Sequence, residues 1–191
     1  MTKVAMVYHS QSGHTQIQAE AVRRGAASIE GTAEEASARL EELDTSDAIV
    51  FGCPTYMGNV SAGMKAFQEK AMGRWFTQTW KDKIGGAFTN STNFSGDKLN
   101  TLVGLMINAM QQGMIFVSLG MLPASNDPAS METLEGPGPD ALNRVDGSIG
   151  PMATSFTAAA GEAPPKGDIG TAEAYGRRIA EITSQFARGR A

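Results

Sequence analysis

Lys3-Val4-Ala5-Met6-Val7-Tyr8-His9-Ser10-Gln11-Ser12-Gly13-His14-Thr15 passes from an apolar run through a hydroxyl-rich turn into a helical pattern. Val4 to Tyr8 is continuously apolar, which suits a strand buried on both faces of a parallel sheet. Thr15 to Gly25 carries Ile17, Ala21 and Val22 on one face and has Gly25 as a C-terminal stop. A strand that leads through Ser10 and Ser12 into a helix gathers hydroxyls, free backbone N–H groups and the positive end of the helix dipole at one point. The turn holds no Lys or Arg. A nucleoside-triphosphate loop needs a Lys after its last Gly, where this chain has His14 and Thr15, and the fingerprint G-x-G-x-x-G is also missing. What remains is a neutral cradle for a single phosphate monoester. Hydrogen bonds to a charged group contribute roughly 1.5–3 kcal/mol each, so four would contribute ~6–12 kcal/mol before association costs. The competing reading is that Ser10 or Ser12 simply caps a helix.

Outward from this stretch, apolar strands alternate with helices. Ala48 to Gly52 and Ile84 to Thr89 read as buried strands, Ala62 to Met72 as a helix, and Met114 to Leu119 as the last strand. Leu99, Leu102, Val103, Met106 and Met110 mark a helix that Asp97 favours at its start and Gly113 ends. Thr32-Ala33-Glu34-Glu35 matches a capping box, with Ala36, Leu40 and Leu43 at helical spacing behind it. That helix leaves little room for a strand before it, so the second strand is expected to be rudimentary or lost. Alternation of this kind predicts right-handed crossovers and an α/β, doubly wound, mostly parallel sheet flanked by helices. The segment from Met121 to Gly170 holds seven of the eight prolines and breaks the rhythm. It reads as a long excursion after the last strand, either a flexible insertion or a cover for the site or a subunit contact. Tyr175, Ile179, Ile182 and Phe186 then restore helical spacing, so the described pattern closes on a docked helix.

The chain has 191 residues, a length that fits a single domain over 1–191. Sixteen basic against twenty acidic residues leave a net charge of -4. No basic run tracks a nucleic-acid backbone, which argues against a nucleic-acid partner. The apolar stretches are too short for membrane insertion, and Met1-Thr2-Lys3 leads straight into a strand, so a cytoplasmic location is expected. Cys53 is the only cysteine, which excludes an intrachain disulfide and a thiolate metal set; it reads as a small buried hydrophobe. His9 and His14 are the only histidines. Neither belongs to a recognisable Ser-His-Asp arrangement, and no metal site is expected.

In open sheets of this kind, ligands sit beyond the C-terminal strand ends, where strand order reverses. Three such ends carry unusual loops. The first is Ser10, Gln11, Ser12, Gly13, His14 and Thr15. In the second, Pro54 stiffens the exit after Cys53, Tyr56 offers a stacking face, and Gly58 lets backbone approach a ring edge, with Thr55, Met57 and Asn59 between and beyond them. The third, Asn90, Ser91, Thr92, Asn93, Phe94 and Ser95, supplies amides and hydroxyls that can read the edge of a heteroaromatic ring. One loop for phosphate and two for a planar polar ring describe a mononucleotide site.

Three segments together carry a resemblance: Tyr8 to Thr15, Phe51 to Asn59 with Ser61 to Phe67, and Phe88-Thr89-Asn90-Ser91. With them the chain resembles the flavodoxin-like FMN proteins, and within these the WrbA-type NAD(P)H:quinone oxidoreductases, from Thr2 to Gly120 and again in the last helix. The resemblance implies a flavodoxin-like sheet of order 2-1-3-4-5. It implies FMN as the bound cofactor, with its phosphate at Ser10 to Thr15, Pro54 to Asn59 flanking the isoalloxazine, and Asn90 to Ser95 at its polar edge. It also implies NAD(P)H as a transient donor and a homo-oligomer, dimer or tetramer. Trp75 falls where the family places an aromatic near the substrate, though a core or surface Trp is the competing reading. Gln112 stands where the family has a His beside the flavin, just before the last strand, and the segment between the first helix and Ala48 lacks the insertion tied to the family tetramer.

These expectations describe an FMN-dependent oxidoreductase that passes hydride from NAD(P)H to a quinone or similar small acceptor. The flavin carries the chemistry, so no catalytic side chain is required. The alternative is a one-electron flavodoxin serving protein partners, for which a charge of -4 is mild. A phosphoacceptor receiver of the same architecture would need an acidic cluster where this chain has His9 and Ser10.

Overall fold

The apolar runs pair side by side in a parallel sheet. A computed structural model of the chain describes residues 2–28, 31–35 and 40–190. The first strand, β1 (Thr2–Tyr8), is flanked by β2 (Gly31–Glu35) and β3 (Ala48–Tyr56). Beyond β3 come β5 (Ile84–Ser91) and β6 (Ile115–Phe116), giving the order β2-β1-β3-β5-β6. The intervening β4 (Asn59–Val60) only folds back antiparallel on β3. Leaving that hairpin aside, the order is the expected 2-1-3-4-5. All of β5 and all of β3 except Tyr56 are buried, as central strands covered on both faces must be.

Helices cover the two faces. α1 (His14–Ala27) and the last helix, α7 (Lys166–Gly189), form one layer, with Val22, Ala172, Tyr175 and Ile179 packed on Val4, Met6, Val50 and Phe88. On the other face, α2 (Leu40–Asp44), α3 (Ala62–Lys70) and α5 (Lys98–Gln111) place Leu43, Met64, Leu102 and Leu105 on Ile49, Phe51 and Ala87. The two helices of the first layer touch through glycines. A Cβ at Gly25 would stand 1.8 Å from the Glu173 carbonyl oxygen, and one at Gly176 would stand 1.9 Å from that of Val22. No other residue permits this approach, so Gly25 spaces two helices as well as lying near a helix end. Tyr175 locks the layer to the sheet: its hydroxyl donates to the Val117 carbonyl at 2.7 Å and accepts from the Ala87 N–H at 3.2 Å.

Four expectations need correction. Thr32 to Glu35 is not a capping box but part of β2, paired in register from Thr2↔Gly31 to Met6↔Glu35. The second strand is therefore present at full ladder length, because the open edge of β1 offers five residues of backbone pairing that outweigh a local four-residue helix signal. Leu40 and Leu43 are buried in a short helix as expected, while Ala36 lies outside the described residues. The helix read over Ala62 to Met72 is two, α3 and α4 (Met72–Phe76), with Ala71 between them.

The last strand is also not one run. β6 pairs only with the start of β5, and β7 (Met152–Thr154) pairs with its end, Thr89↔Met152 to Ser91↔Thr154. The proline-rich excursion therefore interrupts the edge position and returns to it instead of following it. Its neck is closed by the Leu119 N–H on the Ser148 carbonyl at 3.0 Å. Asn143 plugs the same neck: its amide donates to the carbonyls of Met121 and Gly147 and accepts from the Gly147 N–H. The excursion carries a 3-10 turn at Ala124–Asn126 and a short α-helix, α6 (Pro128–Met131), capped by Asp127. No helix among the described residues is long and apolar enough to cross a membrane.

Candidate functional site

Because β1, β3 and β5 run parallel, their C-terminal loops meet at one edge of the sheet, and the return of β7 to β5 adds a fourth. The four loops enclose a cleft of about 430 Å³. Ser10, Gln11, Ser12, His14 and Thr15 come from the first, Pro54, Thr55 and Tyr56 from the second, and Asn90, Ser91 and Thr92 from the third. The fourth contributes Ser155, Phe156, Thr157, Ala158, Ala159 and Ala160. Reasoning from the sequence missed this last set. The same signature that marked the other loops, a short apolar run ending in hydroxyls, is present in Met152-Ala153-Thr154-Ser155, but the surrounding prolines masked it.

The first loop is built around Gly13, whose φ of +84° is the left-handed conformation that glycine adopts without strain. The first helical bond runs from Ile17 N–H to the Gly13 carbonyl, and the Gln16 N–H is taken by the Ser10 hydroxyl at 3.3 Å. That bond is the capping role foreseen as the competing reading, and Ser10 does it without leaving the cleft. The N–H groups of His14 and Thr15 have no intrahelical acceptor by helix geometry and open the α1 dipole toward the cleft. His14 Nε2 lies 2.9 Å from the Ala158 carbonyl oxygen, so this nitrogen carries the proton, a carbonyl being able only to accept. The other face of Gly13 meets the fourth loop, since a Cβ there would stand 3.0 Å from that of Ala160.

On the opposite side the polar groups are ordered by elimination. Thr89 Oγ1 donates to the Cys53 carbonyl at 2.7 Å, so its contact with Thr55 Oγ1 at 2.9 Å is a donation from Thr55. The Thr55 hydroxyl thus spends its proton on the sheet and keeps acceptor capacity at the cleft. Ser155 Oγ lies 3.4 Å from the Ser91 carbonyl, to which it donates, and accepts from Asn90 Nδ2 at 3.1 Å. This fixes which end of the Asn90 amide faces Ser155. The remaining atom, Asn90 Oδ1, is buried with no hydrogen-bond partner. A buried acceptor of this kind costs stability unless a ligand N–H reaches it.

Several predicted residues support the cleft without lining it. Met57 (φ 49°) and Gly58 (φ 74°) form the two-residue turn between β3 and β4, and Met57 points fully into solvent. The Gly58 carbonyl accepts from Asn100 Nδ2 at 2.7 Å, which ties this turn to α5. Asn59 faces a second cavity. Asn93, Phe94 and Ser95 turn away from the cleft, Phe94 meeting the cleft-lining Phe156 edge-on at 5.3 Å. Trp75 and Gln112 do not line the cleft at all. They share the second cavity, about 750 Å³ between α3, α4 and α5, and Gln112 is buried where α5 gives way to β6. That is the N-terminal edge of the strands, so a position "just before the last strand" lies at the far end of the sheet from the cleft within one chain. Cys53 is buried as expected, and burial pushes its thiol pKa up.

A neutral, hydroxyl-lined cleft at the C-terminal edge of a five-position parallel sheet, with an N-terminal helix dipole at one side, defines the class of flavodoxin-like mononucleotide proteins. Residues 14–128 match the family described as NADPH-dependent FMN reductase, and the chain belongs to that family. It is 38% identical to "Flavodoxin FldP" of Pseudomonas aeruginosa over 97% of this chain and 99% of that protein. It is 30% identical to an "NAD(P)H dehydrogenase (quinone)" of Aromatoleum aromaticum over 99% of each. Among solved structures it is similar to a flavodoxin, WrbA-like protein from Agrobacterium tumefaciens, with 37% identity, a TM-score of 0.70, and coverage of 97% of this chain and 99% of that one.

Proposed function

We propose that this chain is an FMN-dependent oxidoreductase that takes electrons from NAD(P)H and passes them to a quinone or similar small acceptor. The observation that carries the reading is the pairing, within one uncharged cleft, of the open α1 amides at one side with the orphaned Asn90 Oδ1 at the other. The first suits a phosphate monoester and the second a ring N–H, and FMN carries both. The residues fit the cofactor: Ser10 to Thr15 would hold its phosphate, Pro54 to Tyr56 would flank the ring, and Asn90 to Thr92 with Ser155 would meet its polar edge. FMN bound there supplies the hydride chemistry, since the flavin ring accepts and returns two electrons.

The chain's own part is binding and exclusion. Thr55 offers acceptor lone pairs, Tyr56 and Phe156 give half-exposed aromatic walls, and the α1 dipole stabilises negative charge. Tyr56 and Phe156 make an aromatic rim against which a planar donor or acceptor can settle. Homologues named as quinone dehydrogenases support small-molecule substrates. Exposed Met72, Phe76 and Ile107 around α4 and α5 support a homo-oligomer, and a cytoplasmic location is part of the same proposal. The test is steady-state: FMN-loaded protein is expected to oxidise NADH or NADPH with a quinone acceptor, and no turnover with any quinone, flavin or ferric acceptor would contradict it. The 38% identity to a protein named flavodoxin favours a second reading, a one-electron carrier. Reductive titration separates them, a single two-electron step supporting the enzyme and two resolved one-electron steps the carrier.

A further inference from the structure

Under the cleft lies a buried lysine that no step above employs. Lys98, at the start of α5, has no solvent exposure. Its ammonium donates to Ser91 Oγ at 3.0 Å, the Asn93 carbonyl at 2.5 Å and Thr154 Oγ1 at 3.2 Å. Three donors meet three acceptors, so the ammonium is fully satisfied and the neutral amine, with two N–H bonds, would leave one partner unmade. Those partners matter: Ser91 lines the cleft directly, and Thr154 is followed at once by the cleft-lining Ser155 and Phe156. Lys98 therefore clamps the third loop to the fourth.

The charges around it do not balance. Asp168 of α7 is held by the Arg144 guanidinium through two bonds, 2.8 and 3.1 Å, and by the Thr154 N–H at 2.8 Å. Burial pushes the Asp168 carboxyl pKa up, while the Arg144 fork, the Thr154 N–H and the Lys98 charge oppose that rise. Exposed Asp97 and Asp146 line the cavity outside the group. Arg144 and Lys98 thus face one buried carboxylate, leaving a net buried positive charge beneath a cleft that itself holds no Lys or Arg.

We infer that Lys98 is a positioning residue for the cofactor site and that FMN binding to this chain is linked to protonation of Lys98. The inference rests on the FMN reading of the cleft. FMN carries its negative charge on the phosphate, proposed above to sit at Ser10 to Thr15 across the cleft from Ser91, and no Lys or Arg among the described residues lines the cleft to screen it. The bound anion therefore favours the ammonium, and binding draws a proton onto Lys98. In the free protein, burial lowers the Lys98 pKa to about 8, with Asp168 opposing the shift and Arg144 adding to it, which puts the linkage in an accessible range. Reciprocity then requires FMN affinity to fall as pH rises past that point.

The test is calorimetric titration of apoprotein with FMN at pH 8.5 in two buffers of different ionisation enthalpy, together with dissociation constants by flavin fluorescence from pH 7.5 to 9.5. Wild type is expected to take up protons on binding and to lose affinity across that interval, about sixfold if FMN raises the Lys98 pKa by one unit. Lys98→Arg, which keeps the charge but does not titrate, is expected to show neither effect, and Lys98→Met to bind weakly with a flat profile. Riboflavin, which lacks the phosphate charge, is expected to bind without proton uptake, and uptake with riboflavin would overturn the electrostatic link. Absence of proton uptake in wild type, or uptake that persists in Lys98→Arg, would overturn the inference even if Lys98→Met does not fold. Failure to bind FMN at any pH would instead overturn the cofactor reading.

Discussion

His14 Nε2 stands 2.9 Å from the carbonyl oxygen of Ala158, joining the first cleft loop to the fourth across 144 positions of sequence. The bond makes the excursion part of the cleft wall, because the fourth loop is held by the first residue of α1, at the end of the proposed phosphate turn. His14→Ala is expected to weaken FMN binding about three- to tenfold, the value of one hydrogen bond of roughly 0.5–1.5 kcal/mol. Flavin fluorescence quenching on apoprotein measures it, and unchanged affinity would show that the two loops are held independently.

Gly13→Ala tests the turn itself. The φ of +84° strains any residue with a Cβ, and that Cβ would also press on Ala160 at 3.0 Å. The variant is expected to lose about 1–2 kcal/mol of stability and to bind FMN more weakly, as urea unfolding and fluorescence titration would record.

Gly176→Ala separates fold from function. Its Cβ would stand 1.9 Å from the Val22 carbonyl oxygen, so α1 and α7 must move apart. A destabilisation of about 2–4 kcal/mol is expected in urea, with the FMN dissociation constant unchanged wherever the variant remains folded.

Lys98 also makes the apoprotein's stability depend on pH. Its folded pKa of about 8 lies below the ordinary lysine value of 10.5, so between those limits the unfolded chain binds more protons and stability rises with pH. Below pH 8 both states hold the proton and the burial penalty is constant. The gain from pH 7.5 to 10.5 should approach about 3 kcal/mol, measured as the difference between wild type and Lys98→Met. Lys83, whose pKa burial also lowers, contributes to both proteins and cancels.

Much of the site was legible because its loops follow strands with unbroken apolar runs. Val4 to Tyr8, Ala48 to Gly52 and Ile84 to Thr89 announce themselves as central strands, and the hydroxyls and amides just beyond them can only lie at the sheet's C-terminal edge. The edges were harder. Gly31 to Glu35 has no apolar run, and its strand exists because β1 offers an unpaired ladder, a tertiary gain that local propensity does not encode. β6 and β7 divide one edge position between segments more than thirty residues apart, so the last cleft loop could not be placed before the pairing with β5 was known. Lys98 was invisible for a related reason. A lysine opening a helix reads as solvated, and only the return of Thr154 and Asp168 over it explains its burial.

The account stands most directly on one optical measurement. Protein reconstituted with FMN should show bound-flavin absorbance, bleach on anaerobic addition of NADH or NADPH, and recover that absorbance when a quinone is added. Protein that fails to retain added FMN, or whose bound flavin is not reduced by either nicotinamide, would contradict it.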